Sequence, residues 1–75
     1  MTKATEFMNQ LIETATKQKN EKKTCYGFGH GEFNGHDVTV RLMDVRINSK
    51  TQTNRSWKVD GKVVSAAKVA AVIEV

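Results

Sequence analysis

Seventy-five residues, 39% hydrophobic and 27% charged, with a formal net charge of +4, have the balance of one small globular domain and not of a disordered chain. The one cysteine excludes an internal disulfide, no Cys/His spacing matches a zinc finger, and no apolar run reaches the length of a membrane span. The expectation is a single domain over residues 1–75 that is held by burial, without metal, cofactor or membrane partner. The single thiol Cys25 and the lack of a hydrophobic signal core assign it to the cytoplasm. A mildly basic balance permits nucleic acid as a partner without demanding it.

The first element is a helix over residues 3–19. Ala4, Phe7, Met8, Leu11, Ile12 and Ala15 recur at three- and four-residue steps and form one apolar stripe. Thr2 is placed to cap its start and Glu6 sits in the positive first turn, while Lys17, Lys19, Lys22 and Lys23 gather at the negative end.

A hairpin follows in "CYGFGHGEFNGHDVTVRLM". Asn34-Gly35 suits a type I′ turn, in which both central residues take positive φ. A two-residue loop there pairs Phe33 with His36, and the register runs outward from that pair. Gly31, Gly29 and Gly27 then oppose Val38, Val40 and Leu42 on one face. Glu32, His30, Phe28 and Tyr26 oppose Asp37, Thr39, Arg41 and Met43 on the other. The glycine face is a shallow trough fitted to the apolar stripe of the helix, since glycine inside a strand marks the close approach of another backbone.

Beyond Leu42 the apolar parity shifts to Val45 and Ile47, which predicts a bulge near Met43 and Asp44. Residues 48–56, "NSKTQTNRS", carry neither glycine nor proline and read as a polar loop. Trp57 and Val59 restart a strand, Asp60-Gly61 turns it, and Lys62 to Val64 lead to Ser65, the N-cap of a closing helix over residues 66–74. The fold class is α+β: an N-terminal amphipathic helix, a three-stranded antiparallel sheet and a short C-terminal helix, in the order α-β-β-β-α.

The residues able to bind something lie on the second hairpin face. Tyr26, Phe28 and His30 follow one another along a strand, with Arg41 across from Phe28; aromatic rings stack on bases, and Arg stacks or pairs with phosphate. Arg46, Lys50, Arg55 and Lys58 complete the candidate binding set. Glu32 and Asp37 at the hairpin tip oppose a phosphate chain, and the alternative is that the closing helix covers these aromatics as ordinary core. His30, His36, Cys25 and Asp37 do not converge on a tetrahedral metal site, because the register points the two histidines to opposite faces. No nucleophile–base–acid set and no phosphate-cradling glycine loop is present, so the chain reads as non-catalytic.

Two resemblances bear on function. Residues 26–33, "YGFGHGEF", resemble the first ribonucleoprotein motif of RNA-recognition domains: Gly27, Phe28, Gly29 and Phe33 match, while Tyr26, His30 and Gly31 depart from it. That likeness covers eight residues, and it implies that Phe28 and His30 would stack on bases; the strand-helix-strand order that precedes the motif in that family is absent here, where a helix comes first and no strand precedes it. The ending "WKVDGKVVSAAKVAAVI" looks like those of small phage and mobile-element accessory proteins, through Trp57, Asp60, Gly61, Lys62, Val64 and Ser65. This second likeness implies a small phage-type protein that antagonises a host protein or nucleoprotein complex by occupying its surface with the polar loop and a sheet edge, in the host cytoplasm. The other reading is a sequence-tolerant single-stranded nucleic-acid (RNA) binding module that uses the aromatic and basic face. The closing helix, apolar nearly all round, further predicts a homodimer through residues 66–75.

Overall fold

A computed structural model describes residues 3–74, as α1 (Lys3–Lys22), β1 (Tyr26–Phe33), β2 (His36–Ile47), β3 (Lys50–Val59), β4 (Lys62–Val64) and α2 (Ala66–Ile73). The strands form one antiparallel meander in the order β1-β2-β3-β4. The fold is α+β with a helix at each end, and the sheet has four strands where the sequence predicted three. Among the described residues no helix is long and apolar enough to cross a membrane.

Both helices cover one face of the sheet. Ala4, Leu11 and Ala15 of α1 and Val69 and Ile73 of α2 are buried against Val38, Val40, Leu42, Trp57 and Val59. The hairpin register is the predicted one, from Tyr26↔Met43 to Phe33↔His36. A Cβ on Gly27 or Gly29 would overlap the carbonyl oxygens of Ala15 and Leu11, so the helix backbone itself lies in the trough; at Gly31 the nearest atom is 3.0 Å away on the Phe7 ring. Phe7 in turn meets Phe33 with ring centroids 5.2 Å apart, which fixes α1 antiparallel to β1. The helix runs past the predicted residue 19 and stops where Lys23 turns to φ 53°. There the amides of Lys23 and Thr24 donate to the carbonyls of Asn20 and Lys19, the two bonds of a Schellman ending. The predicted cap at Thr2 lies outside the described residues, as does Val75.

Three expectations are corrected. Residues 50–56 are not a loop: they belong to β3, which joins β2 through a two-residue turn at Asn48 (φ 51°) and Ser49 (φ 64°). That turn has the positive φ values of a hairpin but no glycine to advertise it. No bulge interrupts β2, because its register with β3 is unbroken from Val38↔Val59 to Ile47↔Lys50. The parity shift reflects a change of cover: past Leu42 the helix side of β2 meets α1 only through the Lys19–Asp44 pair, and Val45 and Ile47 continue the face that bears Met43. Finally, Lys62–Val64 form β4, closed onto β3 by the Asp60-Gly61 turn at φ 52° and 83°. Ser65 occupies the N-cap of α2 as predicted, with its carbonyl accepting from the Lys68 and Val69 amides, but its side chain makes no capping bond. At the far end Asn34 Nδ2 donates to the Ile73 carbonyl at 3.0 Å, which ties α2 to the first hairpin turn.

Candidate binding face

Strand alternation sends the remaining side chains of β1–β4 to the face that carries no helix. Tyr26, Phe28, His30 and Glu32 stand on β1, opposite Met43, Arg41, Thr39 and Asp37 on β2. Ser56 lies across from Arg41, Lys58 across from Thr39, and Val63 of β4 beside Lys58. Tyr26 and Phe28 remain 46% and 44% exposed, so the closing helix does not cover them. α2 lies on the opposite face, where it buries Val69 and Ile73. The two rings meet edge to face, with centroids 5.8 Å apart at 71°. Beside them Phe28, Thr39, Arg41, Ser56, Lys58 and Val63 line a depression of about 260 Å³ that spans all four strands.

The rest of the predicted set divides by position. Tyr26, Phe28, His30, Arg41 and Lys58 share this face and come together. Lys50 lies on the same side of the sheet but at the far end of β3, beside the Asn48-Ser49 turn. Arg46 and Arg55 pair with Thr51 and Leu42, which places them on the helix side of the sheet. The hairpin register already puts Thr39 on this face, whereas Ser56 and Val63 are not placed there by the sequence reading. The signal was available: reading Asp60-Gly61 as a hairpin turn pairs Val59 with Lys62, and hence Lys58 with Val63.

Two of the carboxylates around the tip of the first hairpin meet a histidine. His30 Nε2 is paired with the Asp37 carboxylate. On the other side of the sheet His36 Nδ1 meets Asp60 Oδ2 at 2.8 Å, and the Asp37 amide donates to Asp60 Oδ1 at 2.9 Å. His36 and that amide hold the Asp60 carboxyl below its ordinary value. The two histidines thus face opposite ways, as the register predicts, and each meets a different carboxylate. Among the described residues no three His, Cys, Asp or Glu side chains converge as metal ligands. Cys25 is exposed.

At the opposite end β2 and β3 run beyond their neighbours. The pairing of β1 with β2 begins at Tyr26↔Met43, and that of β4 with β3 ends at Trp57↔Val64, so residues 44–53 project as a two-stranded arm. Its base is latched to α1. Lys19 Nζ donates to both Asp44 carboxylate oxygens, at 2.9 and 3.0 Å, and Thr53 Oγ1 donates to Asp44 Oδ1 at 2.8 Å. The Lys19 and Thr53 bonds lower the Asp44 pKa from its ordinary value.

Comparison with known proteins returned no match: no family model, no curated protein and no solved structure matches this chain.

Proposed function

We propose that the protein is a non-catalytic binding module whose uncovered sheet face takes single-stranded nucleic acid. One observation carries the reading: Phe28 and Tyr26 stand exposed on a helix-free face, beside a depression flanked by Arg41 and Lys58. Exposed rings on a rigid sheet offer bases of any sequence a stacking surface, while the two cations are placed to meet the phosphates between them. The depression, at about 260 Å³, falls below the ~300–1,000 Å³ of typical small-molecule sites. That favours one flat group laid on a surface over an engulfed metabolite. Two carboxylates, Glu32 and Asp37, face this side at the tip and direct a phosphate chain toward Arg41 and Lys58, and Asp37 is hydrogen-bonded to His30. The ribonucleoprotein-like stretch also puts its two stacking positions, Phe28 and His30, on this same face.

A second reading, a phage-type antagonist of a host protein or nucleoprotein complex, is favoured by Val63. It stands 77% exposed at the rim of the depression and would serve as an apolar anchor. Because residues 50–56 are strand and not a polar loop, such an antagonist would dock through the sheet. Titration of fluorescently labelled poly-pyrimidine strands separates the two. The nucleic-acid reading expects affinity that falls steeply with salt, a loss of roughly 1–3 kcal/mol in Phe28→Ala, and a log–log salt slope smaller by about one in Arg41→Ala. Binding indifferent to both substitutions would contradict it and leave the antagonist reading, for which Val63→Asp should abolish capture of the host partner.

A further inference from the structure

We infer that the β2–β3 arm is a second nucleic-acid site, a two-stranded ribbon that enters the major groove of duplex DNA, and that the preferred ligand is a junction between single and double strand. The inference rests on the reading of the sheet face as a single-strand site. It begins with charge. From Val45 to Val59 the chain carries Arg46, Lys50, Arg55 and Lys58 and not one carboxylate. The acid at the base of the arm, Asp44, is neutralised by Lys19, and Lys22 and Lys23 follow at that same end of α1. Four of the eight carboxylates sit at the other end of the molecule, where Glu32, Asp37, Asp60 and Glu74 surround the first and third hairpin turns and the end of α2, while Glu21 in the last turn of α1 stands among Lys19, Lys22 and Lys23. A polyanion approaching this field is drawn to the arm and turned away from the opposite end.

Shape agrees with charge. A ribbon with side chains on both faces is about 10 Å thick, and it passes through the ~12 Å major groove of B-form DNA. Four residues of strand beyond β1, at ~3.3 Å each, reach about 13 Å, more than the ~8.5 Å depth of that groove. Arg46 and Lys50 lie on opposite faces of the ribbon and are both exposed, so each wall of the groove meets a cation. The deep, narrow major groove of A-form RNA would not admit the same ribbon. The Lys19–Asp44–Thr53 latch holds the arm in line with the sheet. Because β2 and β3 are continuous from depression to tip, a tail leaving the duplex is led toward Phe28.

The test compares four labelled probes: a single DNA strand, a blunt DNA duplex, that duplex with a single-stranded tail, and a blunt RNA duplex. Wild type should bind the tailed duplex at least about tenfold more tightly than either simple DNA, because the two sites then share one ligand. Arg46→Gln/Lys50→Gln should erase that advantage, bring the tailed duplex to the level of the single strand, and lower its log–log salt slope by about two. A melting curve verifies that this variant, altered only at exposed side chains, is folded. Unchanged tailed-duplex binding in the double variant, or RNA duplex bound as well as DNA duplex, would overturn the inference. If Phe28→Ala leaves single-strand binding intact while the arm variant still loses the DNA duplex, the sheet-face reading fails and the arm site stands.

Discussion

Gly27, Gly29 and Gly31 differ in what faces them, and the difference decides what each position tolerates. At Gly29 the neighbour is the Leu11 carbonyl, part of a helix backbone that cannot yield without moving α1. Gly29→Val should therefore destabilise at or above the upper end of the ~1–3 kcal/mol usual for overpacking. Gly31 faces the Phe7 ring, a side chain able to shift, so Gly31→Ala should be tolerated; thermal melts of the two variants measure the contrast, and an unchanged midpoint in Gly29→Val would contradict the helix-in-trough packing. Asp44 gives a second prediction. Its folded pKa lies below the ordinary 3.8, so the Lys19 and Thr53 bonds stabilise the fold at pH values above that number. The contribution is lost as pH falls through the depressed folded value. Asp44→Asn should thus be less stable than wild type near neutrality, with the two melting curves converging below about pH 4. A difference that stays constant into acid would show that the carboxylate is not responsible. The glycine trough was legible in the sequence because Asn34-Gly35 sets a register on its own. The Lys19–Asp44 contact was not, since it links residues 25 apart that share no local pattern.

Among the elements, β3 is where local signals failed, and the reason is physical. Its first seven residues are exposed on both faces, so no period-two burial selects apolar residues on alternate positions. Its leading turn uses serine at φ 64°, a conformation that costs a side chain roughly 1–2 kcal/mol and that glycine adopts freely. Ser49→Gly should consequently raise stability by roughly 0.5–1 kcal/mol, read as an upward shift of the melting midpoint. A downward shift would show that the hairpin does not turn at Asn48-Ser49. By contrast α1 was readable from a single stripe, and Asn34-Gly35 and Asp60-Gly61 from their turn chemistry. α2 poses a different question. Val69 and Ile73 are covered within the chain, while Ala66, Ala67, Ala71 and Val72 face outward. Eight residues of helix cannot supply the ~800 Å² per partner of a stable interface. Association through α2 is therefore proposed only at high concentration; sedimentation equilibrium should show the mass rising there, and a monomer throughout would contradict it.

At the scale of the whole molecule, the arrangement of covers explains the candidate site. Two helices on one side of a four-stranded sheet bury a small core and leave the second side bare, and the bare side carries the aromatic rings. Composition gave no sign of which side that would be. Alternation divided the first hairpin into two chemical faces, but whether a helix lay over Tyr26 and Phe28 depended on α2, whose apolar surface suits either side. The remainder of the face, Ser56, Lys58 and Val63, follows from a four-strand register that the polar stretch concealed. The central claim is that this bare side, and not the helical one, is the binding surface. Its most direct test is the amide chemical-shift footprint of a short poly-pyrimidine strand on isotopically labelled protein at low salt. The account predicts shifts concentrated at Tyr26, Phe28, Thr39, Arg41, Ser56 and Lys58, with α1 and α2 silent; a footprint on the helices that spares Phe28 and Arg41 would contradict it.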